Sequence, residues 1–438
     1  GEILAMESFP NYDPNNPSKI IDQNLLASFE KIDDKEKEKL RETLWDNPCV
    51  SELYEPGSVF KTLTTAISLE TKSSKPGEMY KCTGTIDIDE GVSINCVIYP
   101  GSHGDQTLEE AFVNSCNPAY VQIVNEIGKE KFFSYLKALN FPGRTGVDLP
   151  AEEDSLYKDS TKDISPAQFS TSAYGHGISV TPLQMISAVN AVINGGYYYK
   201  PHIFSKILTN DGEVVKEYEA NEPNQVFSKE TSDIMIEYLK NVVIGNNASV
   251  GKIDGLIVGG KTGTTTKLVD GEYYDDILIR SYWSFFPADN PKYSLMVVID
   301  NPKLHAYDGE SEAGVIAANI IDRMMTKKTT EGFTSQTSSI AVPDLTGKTV
   351  KEAEEILKAQ GLKLSVYGDM ESQVIIGKQS PNAKELVPYG DSIKVSPEEV
   401  KRVKVIDFTG LNREEISKVI EDTGINVRTD GSGVVKSQ

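Results

Sequence analysis

The sequence predicts an α+β front domain, helices against an antiparallel sheet, followed by two small α/β modules in tandem. Three observations carry this. Helical and strand periodicities are mixed through residues 1–327. Periodicity stops at Lys327–Ser339, where small polar residues take over, so 328–340 reads as a linker. Beyond it one pattern occurs twice at a spacing of roughly 60 residues. Val342-Pro343-Asp344-Leu345-Thr346-Gly347 precedes a helical stretch, Thr349–Gln360, and an alternating one ending at Val366; Val405-Ile406-Asp407-Phe408-Thr409-Gly410 opens the second copy. The modules are placed at 341–398 and 399–438, the second expected to be incomplete.

Within the front domain, Pro56-Gly57 breaks the chain, and Ser58–Leu69 reads as a buried helix with Ser58 near its N-terminus. Cys82 and Cys96 are equidistant from residue 89, in the turn-like Asp89-Glu90-Gly91, and are expected to face each other across a hairpin. A helix is expected over Thr107–Cys116. Strands are expected over Leu256–Thr264, Tyr282–Phe286 and Ser294–Ile299, and a last helix over Val315–Met325.

Composition excludes some function classes. With 44 basic and 65 acidic side chains the formal net charge is −21. Nucleic-acid binders need basic surface to displace counterions, so no nucleic-acid partner is expected. No apolar run reaches the roughly 18 residues of a membrane span. The chain opens at Gly1-Glu2-Ile3 without a leader, and is expected to be a fragment whose membrane anchor lies outside it.

Three short elements carry candidate chemistry. Ser58 and Lys61, three apart, share a helix face, a spacing that suits a nucleophile and its base. A buried or cation-flanked lysine loses its proton readily enough to accept one from serine. Ser115 and Asn117 alternate around Cys116 and point the same way if the backbone is extended. Lys261-Thr262-Gly263-Thr264 sits on a strand-like segment, with Gly263 leaving room for a ligand against the backbone. Each is weak alone, but in this order they form the signature of penicillin-recognising serine enzymes.

With its flanks (Tyr54-Glu55-Pro56-Gly57 before Ser58, Asn114 and Pro118 around the second element, Gly260 before Lys261) the set resembles the active-site boxes of class B penicillin-binding proteins. Tyr174-Gly175-His176-Gly177 and Phe286-Pro287-Ala288 also fit that transpeptidase domain, whose fold has helices on both faces of an antiparallel sheet. The tandem modules look like PASTA domains, which points to the cell-division or sporulation branch. The resemblance implies a D,D-transpeptidase. Ser58 would attack the penultimate D-Ala carbonyl of a peptidoglycan stem peptide while Lys61 takes its proton. Ser115 would relay that proton to the departing D-Ala, and Asn117 would bind the substrate amide. Lys261 would keep the site positive, lowering the Lys61 pKa, and with Thr262 and Thr264 hold the terminal carboxylate. Backbone N–H groups of Ser58 and Thr264 would form the oxyanion hole. β-Lactams would be trapped as esters on Ser58. No cofactor is needed for this chemistry. Partners implied are a separate glycosyltransferase and the extracytoplasmic face of the membrane. Thr265, Thr266 and Ser284 depart from common family residues without removing a reacting group. A serine β-lactamase and a non-catalytic, β-lactam-sensing or muropeptide-binding wall protein are the alternative readings.

Cys82, Cys96 and His103 form a second constellation. Two thiolates and an imidazole suit a structural Zn²⁺, with Asp87, Asp105 or water as fourth ligand; a disulfide or free thiols are the alternatives. Cys116 and Cys49 read as buried core residues, and His176 as a structural residue beside the cleft.

Overall fold

The computed structural model describes residues 1–157, 164–218, 222–245, 253, 256–269, 272–302, 311–331, 339–359, 362–366, 373–388 and 392–397. The chain divides into two units, Gly1–Lys327 and Lys328–Gln438. The second module, 399–438, lies outside the described residues. Among the described residues no helix is long and apolar enough to cross a membrane.

The first unit is α+β and is built around strands Gly259–Val269, Glu272–Phe286 and Tyr293–Asp300, with the second central and antiparallel to both others. Tyr282, Trp283, Ser284, Phe285 and Phe286 on the central strand are all fully buried. A continuous buried run means that both faces of the sheet are covered, which an apolar stretch permits and an alternating one would not. Trp283 and Phe285 share one core with Phe60 and Leu63 of the Ser58 segment, Phe112 and Tyr120 of the helices that follow it, and Ala313 and Ala317 near the end of the unit.

The Ser58 segment opens as a 3₁₀ turn, Gly57–Phe60, and continues as the helix Lys61–Glu70. Every residue from Lys61 to Leu69 is buried, so this helix is enclosed all round, polar residues included. Side chains on it are therefore held by packing, which fixes Lys61 relative to the turn before it.

Three sequence expectations are corrected here. The helix expected over Thr107–Cys116 spans only Leu108–Val113, capped at its start by Thr107 and Glu110 in a reciprocal capping box. It stops because Ser115 adopts a left-handed backbone with φ 53°, and a new helix, Asn117–Ile127, begins two residues later. The hairpin register is also different. Thr85–Asp89 pairs with Val92–Asn95, and Cys96 opposes Gly84 through its N–H at 2.8 Å. Cys82 instead ends the separate strand Met79–Cys82 and pairs with Gly104. Gly84, with φ 94°, turns the chain between the two ladders. Finally, the helix Glu312–Glu331 runs four residues into the segment read as linker, since nothing before Gly332 breaks it, and a strand, Ser339–Ala341, begins before the segment ends.

The second unit is described for one module. The helix Val350–Ala359 packs on a sheet in which Ser392–Pro397 lies between Lys363–Val366, parallel, and Ile376–Ser380, antiparallel. Its core is small: Val342, Leu345, Ala353, Leu357, Ile376 and Ile393 are among its buried residues.

Candidate active site

The turn at Gly57 makes the first half of the site possible. Its φ is 53°, and a Cβ there would lie 2.6 Å from Thr265 Cγ2, so glycine is required by conformation and by space. The turn aims Ser58 back over the first residue of the helix, and Lys61 Nζ lies 3.1 Å from Ser58 Oγ. The break at Ser115 supplies the second half. A left-handed non-glycine residue costs on the order of 1–3 kcal/mol, and such strain persists where surroundings over-determine it. Here Ser115 Oγ is 2.9 Å from Ser58 Oγ and 3.0 Å from Lys61 Nζ, while the Ser115 carbonyl accepts from Lys61 at 2.7 Å. Asn117, at the start of the following helix, accepts from Lys61 through Oδ1 at 2.8 Å and donates from Nδ2 to the Asn95 carbonyl at 3.2 Å. Ser115 and Asn117 thus converge through a left-handed residue followed by a helix start, and not through the extended stretch expected. From the strand side, Lys261 Nζ reaches Ser115 Oγ at 3.2 Å. All five expected catalytic residues meet in one cluster.

Lys61 Nζ has four oxygen neighbours: it donates to the Ser115 carbonyl and Asn117 Oδ1, which can only accept, and lies within hydrogen-bond distance of the Ser58 and Ser115 hydroxyls. Burial, and then the nearby Lys261, hold the Lys61 pKa well below the ordinary lysine value. Both expected causes act, and desolvation is the larger. Lys261, also fully buried, is pushed by burial to about 8 and so keeps most of its charge at neutral pH. Lys61 Nζ is flanked by the Tyr120 and Tyr174 rings, at 5.2 and 5.6 Å.

Gly263 has a different job from the one expected. A Cβ there would lie 2.5 Å from Ser281 Oγ and 2.7 Å from the Pro56 carbonyl, so the missing side chain lets the strand approach the nucleophile turn rather than a ligand. Thr262 is half-buried and Thr264 exposed, and by strand alternation both lie on the face opposite Lys261. His176 packs edge-on against Tyr174 and burial, then Lys61, lowers its pKa to about 4, so it is neutral and structural.

Immediately beside this cluster stands a second one. Ligand atoms of Cys82, Cys96, His103 and Cys116 all lie within 4.8 Å of one another. Cys96 Sγ is 3.2 Å from His103 Nδ1 and 4.0 Å from Cys116 Sγ. The fourth member is Cys116, read from sequence as a core residue; Asp87 is bonded to Ser93 at 2.7 Å, and Asp105 is exposed. No disulfide joins these thiols. Burial raises the Cys116 thiol to about 12; at Cys82 burial also acts upward, but hydrogen bonds from the His103 and Gly84 backbone and from the Cys116 and Cys96 thiols together lower the pKa. Sequence reasoning missed Cys116 as a metal-ligating candidate because it stands 20 residues after Cys96, a distance no short motif signals. It also assigned no role to Glu55, whose carboxylate is buried beside the nucleophile turn and pushed above the usual range by that burial.

Residues 1–322 match the penicillin binding protein transpeptidase domain, and residues 340–396 match the PASTA domain. The chain belongs to the penicillin-binding protein transpeptidase family. It is a class B penicillin-binding protein with a PASTA domain, similar to stage V sporulation protein D of Bacillus subtilis (33% identity over 406 residues, 90% of this chain and 59% of that protein). Penicillin-binding protein PbpB of Mycolicibacterium smegmatis is 30% identical over 70% of this chain and 45% of its own length. This penicillin-binding protein therefore spans about half the length of the curated relatives it matches. Among solved structures it is similar to penicillin binding protein 3 of Mycobacterium tuberculosis complexed with aztreonam, at 28% identity and TM-score 0.59, covering 65% of this chain and 64% of that one.

Proposed function

We propose that this chain is the catalytic part of a peptidoglycan D,D-transpeptidase. The observation that carries the reading is the hydroxyl–amine–hydroxyl cluster, in which Lys61, its pKa held well below the ordinary lysine value, stands beside the Ser58 hydroxyl. Ser58 Oγ bonds to the penultimate D-Ala carbonyl carbon of a stem peptide, and its proton passes to Lys61. Ser115 delivers that proton to the terminal D-Ala amine as the C–N bond breaks, leaving an ester on Ser58. An amine from a neighbouring strand attacks the ester, returns a proton to Ser58, and completes the cross-link. Lys261 supplies positive charge next to the Ser115 relay, and Thr262 and Thr264 offer hydroxyls to the substrate carboxylate. A β-lactam enters by the same attack and remains as an ester. Because stem peptides are cross-linked outside the cytoplasmic membrane, we place the domain there, tethered through a segment outside this sequence and working with a separate glycosyltransferase in septal or spore-cortex wall synthesis. Exposure to a penicillin, followed by peptide mapping, is expected to give one stable adduct, on Ser58. Rapid penicillin turnover would make the protein a β-lactamase, and absence of any adduct alongside muropeptide binding would make it a recognition module.

We further infer that Cys82, Cys96, His103 and Cys116 hold a structural Zn²⁺. Three thiols and an imidazole form a common closed zinc set, and tetrahedral Zn–S bonds of about 2.3 Å put sulfurs about 3.8 Å apart, close to the 4.0 Å between Cys96 and Cys116. The ion would fasten the two ladders carrying Cys82 and Cys96 to the residue between Ser115 and Asn117. Metal analysis of protein purified without chelator is expected to find one equivalent of zinc, lost in Cys82→Ser. Metal-free wild type ends the inference.

A further inference from the structure

Glu55 stands three residues before Ser58 and is only 6% exposed. Its Oε1 accepts two hydrogen bonds from distant segments: the Gly177 N–H at 2.7 Å and the Tyr273 hydroxyl at 2.8 Å. Its backbone carbonyl accepts from Thr265 Oγ1 at 3.2 Å. Oε2 is buried with no hydrogen-bond partner among the described residues. A bare buried oxygen costs free energy, a cost that folds retain where the group's other bonds organise something they need.

What it organises is a three-way junction with no clearance. One arm is the Ser58 turn. A second is the 174–177 turn, where Gly57 N–H donates to the Gly175 carbonyl at 3.4 Å and a Cβ on Gly175 would lie 2.5 Å from the Gly57 carbonyl oxygen. The third is the pair of strands Gly259–Val269 and Glu272–Phe286, which carry Thr265 and Tyr273. The junction reaches the reacting groups on every side. Gly57 precedes Ser58 directly, Tyr174 flanks Lys61, and Thr265 follows the residue expected to give an oxyanion-hole N–H.

We propose that Glu55 is a positioning residue for acylation, locking the Ser58 turn to the 174–177 turn and to the strand carrying Lys261 and Thr264. It touches no substrate; it sets the distance between the nucleophile and the strand that receives the developing oxyanion. The inference rests on Ser58 being the acylated residue, and the test keeps the two apart. Acylation by a penicillin would be followed over a range of concentrations, separating initial binding from the acylation rate constant, with thermal melting measured on each variant. Glu55→Ala is expected to lower the acylation rate constant about 10–100-fold, as a misplacement of about 1 Å does, with initial binding changed less than about threefold. Glu55→Gln keeps an oxygen for both donors and is expected to restore the rate to within about fivefold of wild type. Tyr273→Phe, which removes one tie and leaves Glu55 in place, is expected to slow acylation several-fold at unchanged melting temperature. Wild-type rates in a folded Glu55→Ala would overturn the proposal, as would a Glu55→Gln that is folded but as slow as Glu55→Ala. Should Glu55→Ala fail to fold, a wild-type rate in Tyr273→Phe overturns it. A wild-type protein that forms no Ser58 adduct removes the catalytic reading and this inference with it, an outcome distinct from fast variants.

Discussion

The two clusters flanking Cys116 share three residues of backbone and almost nothing else. In the Ser58 cluster the polar groups face one another, and burial works on two amines, holding the Lys61 pKa well below the ordinary lysine value and that of Lys261 at about 8. In the Cys82 cluster burial works on thiols, and the groups close on a common centre rather than in a chain. The first gathers Ser58 and Lys61 from one turn of helix and adds one residue pair and one strand residue; the second draws four single residues from separate places. Both depend on the same stretch, 114–117, where a helix stops, a serine takes a left-handed backbone, and a new helix starts. Chemistry and scaffold are therefore fused at one strained point, and perturbing either cluster should be felt in the other.

The comparison can be broken in four ways. The largest effect is expected from Lys61→Met, which removes the proton acceptor while keeping the volume: penicillin acylation of Ser58 should fall by about 10²–10⁴-fold, the usual contribution of a general base. Stopped-flow acylation measures it, and a loss below tenfold would shift the base to another group. Next, Cys116→Ser should cost more metal affinity than the roughly 10–100-fold typical of losing an outer-shell partner. It should also slow acylation, because Ser115 and Asn117 lose their anchor; Cys49→Ser, whose thiol lies away from both clusters, should do neither. Metal titration and acylation on the same preparations decide, and intact acylation after zinc loss would show the two clusters to be independent. Third, Gly263→Ala forces a methyl against the Pro56 carbonyl and Ser281, and overpacking of this kind costs about 1–3 kcal/mol. Its melting temperature should drop and its acylation slow together.

The smallest effect is the pH dependence. Lys261 has a lowered pKa, about 8. Its charge near the Ser115 relay is present below that value and lost above it, so acylation should decline as pH rises through about 8. The stability sign is opposite. Between about 8 and the ordinary lysine range the unfolded chain binds a proton that the folded one does not, so this group makes stability rise with pH there. A rate profile flat from pH 7 to 9 would remove Lys261 from the electrostatics of the reaction.

Much of the candidate site was legible because each part is local. Helical periodicity places Ser58 and Lys61 on a common face, whereas short spacing named Ser115, Asn117 and Lys261 to Thr264 without placing them: the first two converge through a left-handed residue, and Thr262 and Thr264 lie on the strand face opposite Lys261. The expected helix over Thr107–Cys116 overran because Cys116, four residues after Phe112, continues the apolar helical spacing, while the break comes from the left-handed backbone of Ser115. The Cys82–Cys96 pairing failed for a related reason. Symmetry about residue 89 suggested one hairpin, but Gly84 divides the strand, and a glycine turn inside a short β segment leaves little pattern in the flanking residues.

Sequence by itself determined which functional groups this protein possesses, where the nucleophile-candidate helix and the main sheet strands fall, and that a small module of different character follows the front domain. Tertiary structure alone decided that Lys61 is fully buried, that Cys116 meets Cys82, Cys96 and His103 from other segments, and that Glu55 ties three segments around the Ser58 turn. The physical reason is range. Secondary structure and motif spacing follow from torsional preference and periodicity over a few residues, whereas desolvation, ligand convergence and close approach between segments depend on which distant parts of the chain are brought into contact.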